Sequence, residues 1–257
     1  AFTGGVGLTV SQSLGGRLAS GTTLSATFQM QDSSVLIDPT DASSGYFDVD
    51  RNQFSIGLGG LVSLVLQPAS QSSDPENDNA LWNPFISVGG ELRPITGAQV
   101  QEGGSYTFSV TLASSAGGLT YDASLTDFGG TAILSSGSIP GASAADLLTS
   151  IDVGWSLAGT EVDGLGSNSI AISSLSLRAA QEQSGTSYSL NATGSSGEVF
   201  NGVDGWSQSE ANYSANYPRA YIQPFSGGVT GFAVGGFYDT EAFTGGDSLT
   251  VSQSLAG

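Results

Sequence analysis

Apolar and polar residues alternate with a period of two along most of this chain, the spacing that turns one face of a β-strand toward a core and the other toward water. Leu8, Val10, Gln12 and Leu14 fall on one side, with Thr9, Ser11 and Ser13 opposite. Leu24, Ala26, Phe28 and Met30 alternate in the same way with Ser25, Thr27 and Gln29. The pattern predicts strands again at Phe54-Ile56-Leu58, Tyr106-Phe108-Val110-Leu112, Tyr121-Ala123-Leu125 and Ile151-Val153-Trp155-Leu157. Ile170-Ile172 and Leu175-Leu177 are out of phase with each other, so a bend or bulge is expected between them. Gly, Pro, Asn or Ser ends each run.

A short helix is expected around Ala142 to Leu148, a long polar loop over Gln67 to Pro84, and a linker over Ala179 to Ser187, where apolar alternation stops. Beyond the linker, Tyr188-Leu190, Ala220-Ile222 and Phe232-Val234 are strand candidates, followed by Leu249, Val251, Gln253 and Leu255 on one face. One apolar face and one hydroxyl face per strand is the pattern of an all-β, two-sheet antiparallel sandwich.

The segment AFTGGVGLTVSQSLGG, starting at Ala1, returns as AFTGGDSLTVSQSLAG from Ala242, 241 residues later, with thirteen of sixteen positions identical. The first copy runs on into LASGTTLSATFQMQDSS, whereas the second is preceded by strand-like sequence. Residues 1–179 therefore read as a sandwich lacking its opening strands, and 180–257 as the opening strands of one. Three arrangements fit: a window of a tandem array, a subunit whose tail completes its neighbour, or a tail that folds back on its own domain. An unfinished sandwich exposes sheet edges that recruit strands, and each large apolar side chain left wet costs about 1.5–3 kcal/mol. Sharing strands between copies is therefore the expectation, with Leu8, Val10 and Leu14 and their counterparts Leu249, Val251 and Leu255 as the assembly strands.

GWSQSEANYSANYPRAYI, then FAVGGFYDT, then SLTVSQSLAG resembles the start of LamG-like (concanavalin-like) jelly rolls of large secreted bacterial surface proteins, many of which carry a PEP-type sorting signal absent here. TLSATFQMQDSS, YFDVDRNQFSIGLGG, GGSYTFSVTL and SIAISSLSLRA resemble that family's later strands, so the segment order is rotated relative to it. The resemblance implies a jelly-roll fold and an extracellular or cell-surface place, and no chemistry.

Composition narrows the functions. The net charge is −18, with five arginines, no lysine, no cysteine and no histidine. Phosphate neutralisation needs clustered cations, so nucleic acid is excluded as a partner, and an anionic membrane surface is disfavoured. No apolar run approaches the roughly 20 residues that span a bilayer, so membrane insertion is not expected. Without His or Cys there is no Ser-His-Asp triad, no Cys-His pair and no ordinary zinc site. The nearest approach to a glycosidase carboxylate strand is Glu161-Val162-Asp163-Gly164-Leu165-Gly166, where glycine replaces the third acid. An enzyme is not expected.

Two binding chemistries remain. Asp48 and Asp50 share one face of a strand pattern, and Asp74, Glu76, Asp78 and Asn79 gather oxygens in a loop, as calcium requires. Ordinary turn formation accounts for the same residues. Trp206, Tyr213, Tyr217 and Tyr221 lie within sixteen residues, with Trp82 elsewhere, and aromatic faces stack on sugars. Core packing is the bland account of those rings. The function read from the sequence is an extracellular structural subunit that assembles head-to-tail with copies of itself as a filament, sheath or surface layer. The alternative is a carbohydrate-binding or adhesin module, with glycans as partners.

Overall fold

A computed structural model of the chain describes residues 6–14, 16–17, 20–32, 52–69, 81–143, 147–148, 150–157, 168–179, 186–189, 207–211, 219–224, 230–235 and 248–255. In chain order its strands begin with β1 (Val6–Leu14), β2 (Gly16–Arg17), β3 (Thr23–Asp32), β4 (Asn52–Leu58) and β5 (Val62–Pro68). Next come β6 (Leu81–Val88), β7 (Glu91–Pro94), β8 (Val100–Gln101), β9 (Ser105–Ser115) and β10 (Gly118–Thr126). β11 (Ala132–Ile139), β12 (Leu147–Leu148), β13 (Ile151–Leu157) and β14 (Asn168–Ala179) follow. The tail adds β15 (Thr186–Ser189), β16 (Ser207–Ala211), β17 (Arg219–Pro224), β18 (Thr230–Gly235) and β19 (Ser248–Leu255).

Two large sheets form. The first runs β16–β19–β1–β13–β4–β5–β6–β7, with β8 also on β6; the second runs β11–β10–β9–β3–β14–β18–β17, with β15 also on β14. A short separate pair joins β12 to β2. The all-β, two-sheet antiparallel sandwich expected from the alternation is what the chain forms. Strands from 180–257 enter both sheets: β16 and β19 the first, β15, β17 and β18 the second.

The inward faces are the alternating apolar residues. Leu24, Ala26, Phe28 and Met30 of β3 are fully buried, as are Phe108, Val110 and Leu112 of β9 across from them. From the first sheet Ile56, Leu58, Leu64 and Val153 join the same core. Phe28 stacks on Tyr106 at 5.7 Å, and Trp82 meets Phe54 edge-on at 6.4 Å. On the outer face hydroxyls pair across the strands: Thr23 with Thr111 at 3.0 Å and Thr27 with Thr107 at 3.3 Å. The phase change in β14 is a register shift against β3 between Ile172 and Ser174. It lets Ile172 and Leu175, three residues apart, both face inward.

Three local expectations change. Leu147–Leu148 form an antiparallel bridge with Arg17 and Gly16 rather than a helical turn, because strand pairing outweighs the modest helix propensity of ASAADLL. The polar loop is shorter than Gln67 to Pro84, since β5 runs to Pro68 and β6 begins at Leu81. The expected linker also narrows, as β14 extends to Ala179 and β15 starts at Thr186. β6 turns into β7 through Gly89 and Gly90, whose φ values of 57° and 87° are those of a two-residue hairpin loop that L-side chains rarely adopt.

Trp155→Ala empties a core position that is 1% exposed, and it is expected to cost about 3–5 kcal/mol in urea unfolding. Leu134→Ser, at a site 76% exposed, should stay within about 0.5 kcal/mol of the parent.

Candidate functional site: two copies of one strand

β13 lies inside the first sheet because Ile151, Val153 and Trp155 alternate into the core and are buried. A strand so placed needs hydrogen-bonding partners on both flanks. One flank is β4, paired from Ile151–Leu58 to Leu157–Asn52. The other is β1, where Leu8 lies opposite Trp155, Val10 opposite Val153 and Gln12 opposite Ile151.

On the far side of β1 lies the second copy of its own sequence. β19 runs parallel to β1, with Leu8 opposite Leu249, Gln12 opposite Gln253 and Leu14 opposite Leu255. Among the described residues every other strand pair is antiparallel. The pairing skips Thr9 to Ser11, and there β16 pairs with β1 instead. β16 also pairs with β19, in an equivalent register. Ser209 lies opposite both Thr9 and Thr250, and Gln208 opposite both Val10 and Val251. Since Thr250 and Val251 are the repeat counterparts of Thr9 and Val10, β16 treats the two copies as the same strand. All six residues singled out for assembly lie on these two strands; the register pairs Leu8 with Leu249 and Leu14 with Leu255, while Val10 and Val251 each lie opposite Gln208.

The other sequence candidates fare differently. Asp48, Asp50, Asp74, Glu76 and Asp78 lie outside the described residues, as do Trp206, Tyr213 and Tyr217 and the stretch Glu161 to Gly166. Tyr221 sits on β17 opposite Ala233. Trp82 is fully buried, so its ring fills the core and offers no face to a sugar. Among the described residues no three His, Cys, Asp or Glu side chains gather as metal ligands.

Two features escaped the sequence reading. At the sandwich edge formed by β7, Arg93 donates to Glu91 Oε2 at 3.0 Å and also bonds the Tyr121 hydroxyl on β10. The Glu91 hydrogen bond first, then that to Tyr121, raises the Arg93 pKa above its ordinary value. Gly137 of β11 makes room, since a Cβ there would sit 3.2 Å from the guanidinium. The Glu-x-Arg spacing places both charges on one strand face and was legible; the Tyr121 partner comes from the other sheet and was not. The second feature is the β10–β11 turn. Thr131 N donates to Asp127 Oδ1 at 2.8 Å and Gly130 N to Asp127 O at 3.0 Å. The braced turn holds Phe128 out, 92% exposed.

Tyr121→Phe keeps the buried ring and removes the hydroxyl between the sheets. The expected loss is about 0.5–1.5 kcal/mol in denaturant titration, and Gly137→Val, which crowds the guanidinium, should lose a comparable amount.

No protein-family model and no curated protein matches the chain. Among solved structures it is similar to a peanut lectin with a 9mer peptide, at 18% identity over 68% of this chain and 77% of that one, with a TM-score of 0.38. It is also similar to the CBM2 module of the evolved Dit of Lactobacillus casei BL23 phage J-1, at 13% identity and a TM-score of 0.35. There the match covers 58% of this chain and 60% of that one. These are distant likenesses between β-sandwiches.

Proposed function

We propose that this protein is an extracellular structural subunit that associates head-to-tail with copies of itself through its repeated strand, as a filament, sheath or surface layer. The observation that carries the reading is the equivalent register of β16 against β1 and β19. Within one chain both copies stand side by side in the first sheet, and because Leu249 to Gln253 repeat the residues Leu8 to Gln12 that pair with β13, either copy matches that flank. A strand of one chain set on the matching flank of another makes a heterologous contact, and such contacts propagate when the rotation does not close. Composition supports the same reading. At a net charge of −18 the chains repel one another, yet the segments Val6–Leu14 and Ser248–Leu255 carry no charge, so these two strands add none of their own to the contact. The extracellular place rests on the resemblance to LamG-like secreted proteins and on a Gly-, Ser- and Thr-rich chain without lysine or cysteine. Light scattering across a concentration series should show mass rising in multiples of one chain, and a monodisperse monomer throughout would overturn the proposal.

A second reading, carbohydrate binding, is favoured by Phe128. An exposed ring beside the Asp127 carboxylate, on a turn fixed by its own hydrogen bonds, offers a sugar both a stacking face and an acceptor. A glycan array that reports binding lost in Phe128→Ala supports this reading. Binding retained there and lost in Trp206→Ala moves the sugar contact to the tail.

A further inference from the structure

We infer that in the assembled protein β19 of one copy occupies the β1 position of the next, in a register fixed by the repeat. The inference rests on the assembly reading and names its partner surface. That surface is the flank of β13 which β1 covers within the single chain.

Three observations point there. Leu8 to Gln12, which face Trp155 to Ile151, are identical to Leu249 to Gln253, so the flank of β13 meets the same residues from either copy. The differences fall outside that stretch: Asp247 for Val6, Ser248 for Gly7 and Ala256 for Gly15. Next, β16 accepts either copy in one register, so the strand beyond the position needs no rearrangement when the occupant changes. Finally, among the described residues the β1–β19 pair alone is parallel, so both copies run in the direction that is antiparallel to β13.

The exchanged register follows. Ser248 lies opposite Ser156, Leu249 opposite Trp155, Val251 opposite Val153 and Gln253 opposite Ile151, each replacing its counterpart in β1. In an isolated chain β1 plugs the position from within. An incoming β19 competes with a tethered strand of the same sequence, whose effective concentration is about millimolar for a short connection. Exchange is therefore driven by crowding of copies, as in a growing polymer, and is slight in dilute solution.

Because the chain contains no cysteine, introduced thiols report this register directly. One full-length chain carries Ser248→Cys and a second carries Ser156→Cys; Ser252→Cys with Asp152→Cys is the second pair. Mixed under oxidising conditions, each pair should give a disulfide-linked heterodimer whose yield rises about tenfold between dilute and concentrated protein. A mixture of Ser248→Cys with Asp152→Cys, four residues out of register, should give about the background yield. Chains that associate by light scattering yet give no heterodimer from either pair above that background overturn the strand register and leave assembly standing. Chains that neither associate nor cross-link overturn both.

Discussion

The flank of β13 has to be covered. Its inward residues Ile151, Val153 and Trp155 are buried in the centre of the core, so the peptide groups on either side are drawn away from water, where an unpaired donor or acceptor costs about 1–3 kcal/mol. β4 satisfies one side. The other side is met by a segment that the chain carries twice. β1 stands there, and β19 attaches the tail on its far side.

The rest of the sandwich is held by pairings of its own. At the other end of the first sheet β4 turns into β5 at Gly59–Gly60 and β6 turns into β7 at Gly89–Gly90. The opposite sheet holds β3 between β9 and β14 over long, continuous registers. Arg93 ties the β7 edge to Tyr121 of the opposite sheet. The outward faces of β3 and β9 are finished with hydroxyl pairs. These features close the body of the fold around its core.

Much of this was legible in the sequence, and the reason is periodicity. β3, β9, β10 and β13 alternate cleanly because each packs one face on the core, and the bulge in β14 announced itself as a change of phase between Ile172 and Leu175. β5 was missed because Leu64, Val65 and Leu66 are all buried, which erases the alternation. β11 was missed for the opposite reason: Ser135, Ser136 and Ser138 give an edge strand too little apolar contrast. At the candidate site, the repeat named the two strands, but sequence could not say that they share one sheet in parallel, since register is a property of tertiary pairing. Trp82 looked like a binding aromatic and is core, because a lone aromatic reads the same way in either setting.

The central claim, that two copies serve one position, is tested most directly by a double-mutant cycle on thermal stability. Proline removes the amide donor that a strand gives to its ladder, so Val10→Pro is expected to weaken β1 and Val251→Pro to weaken β19. The account predicts that each single change is mild, because the other copy takes the place beside β13, and that the pair together costs far more than their sum. Single losses that simply add in the double variant would contradict it.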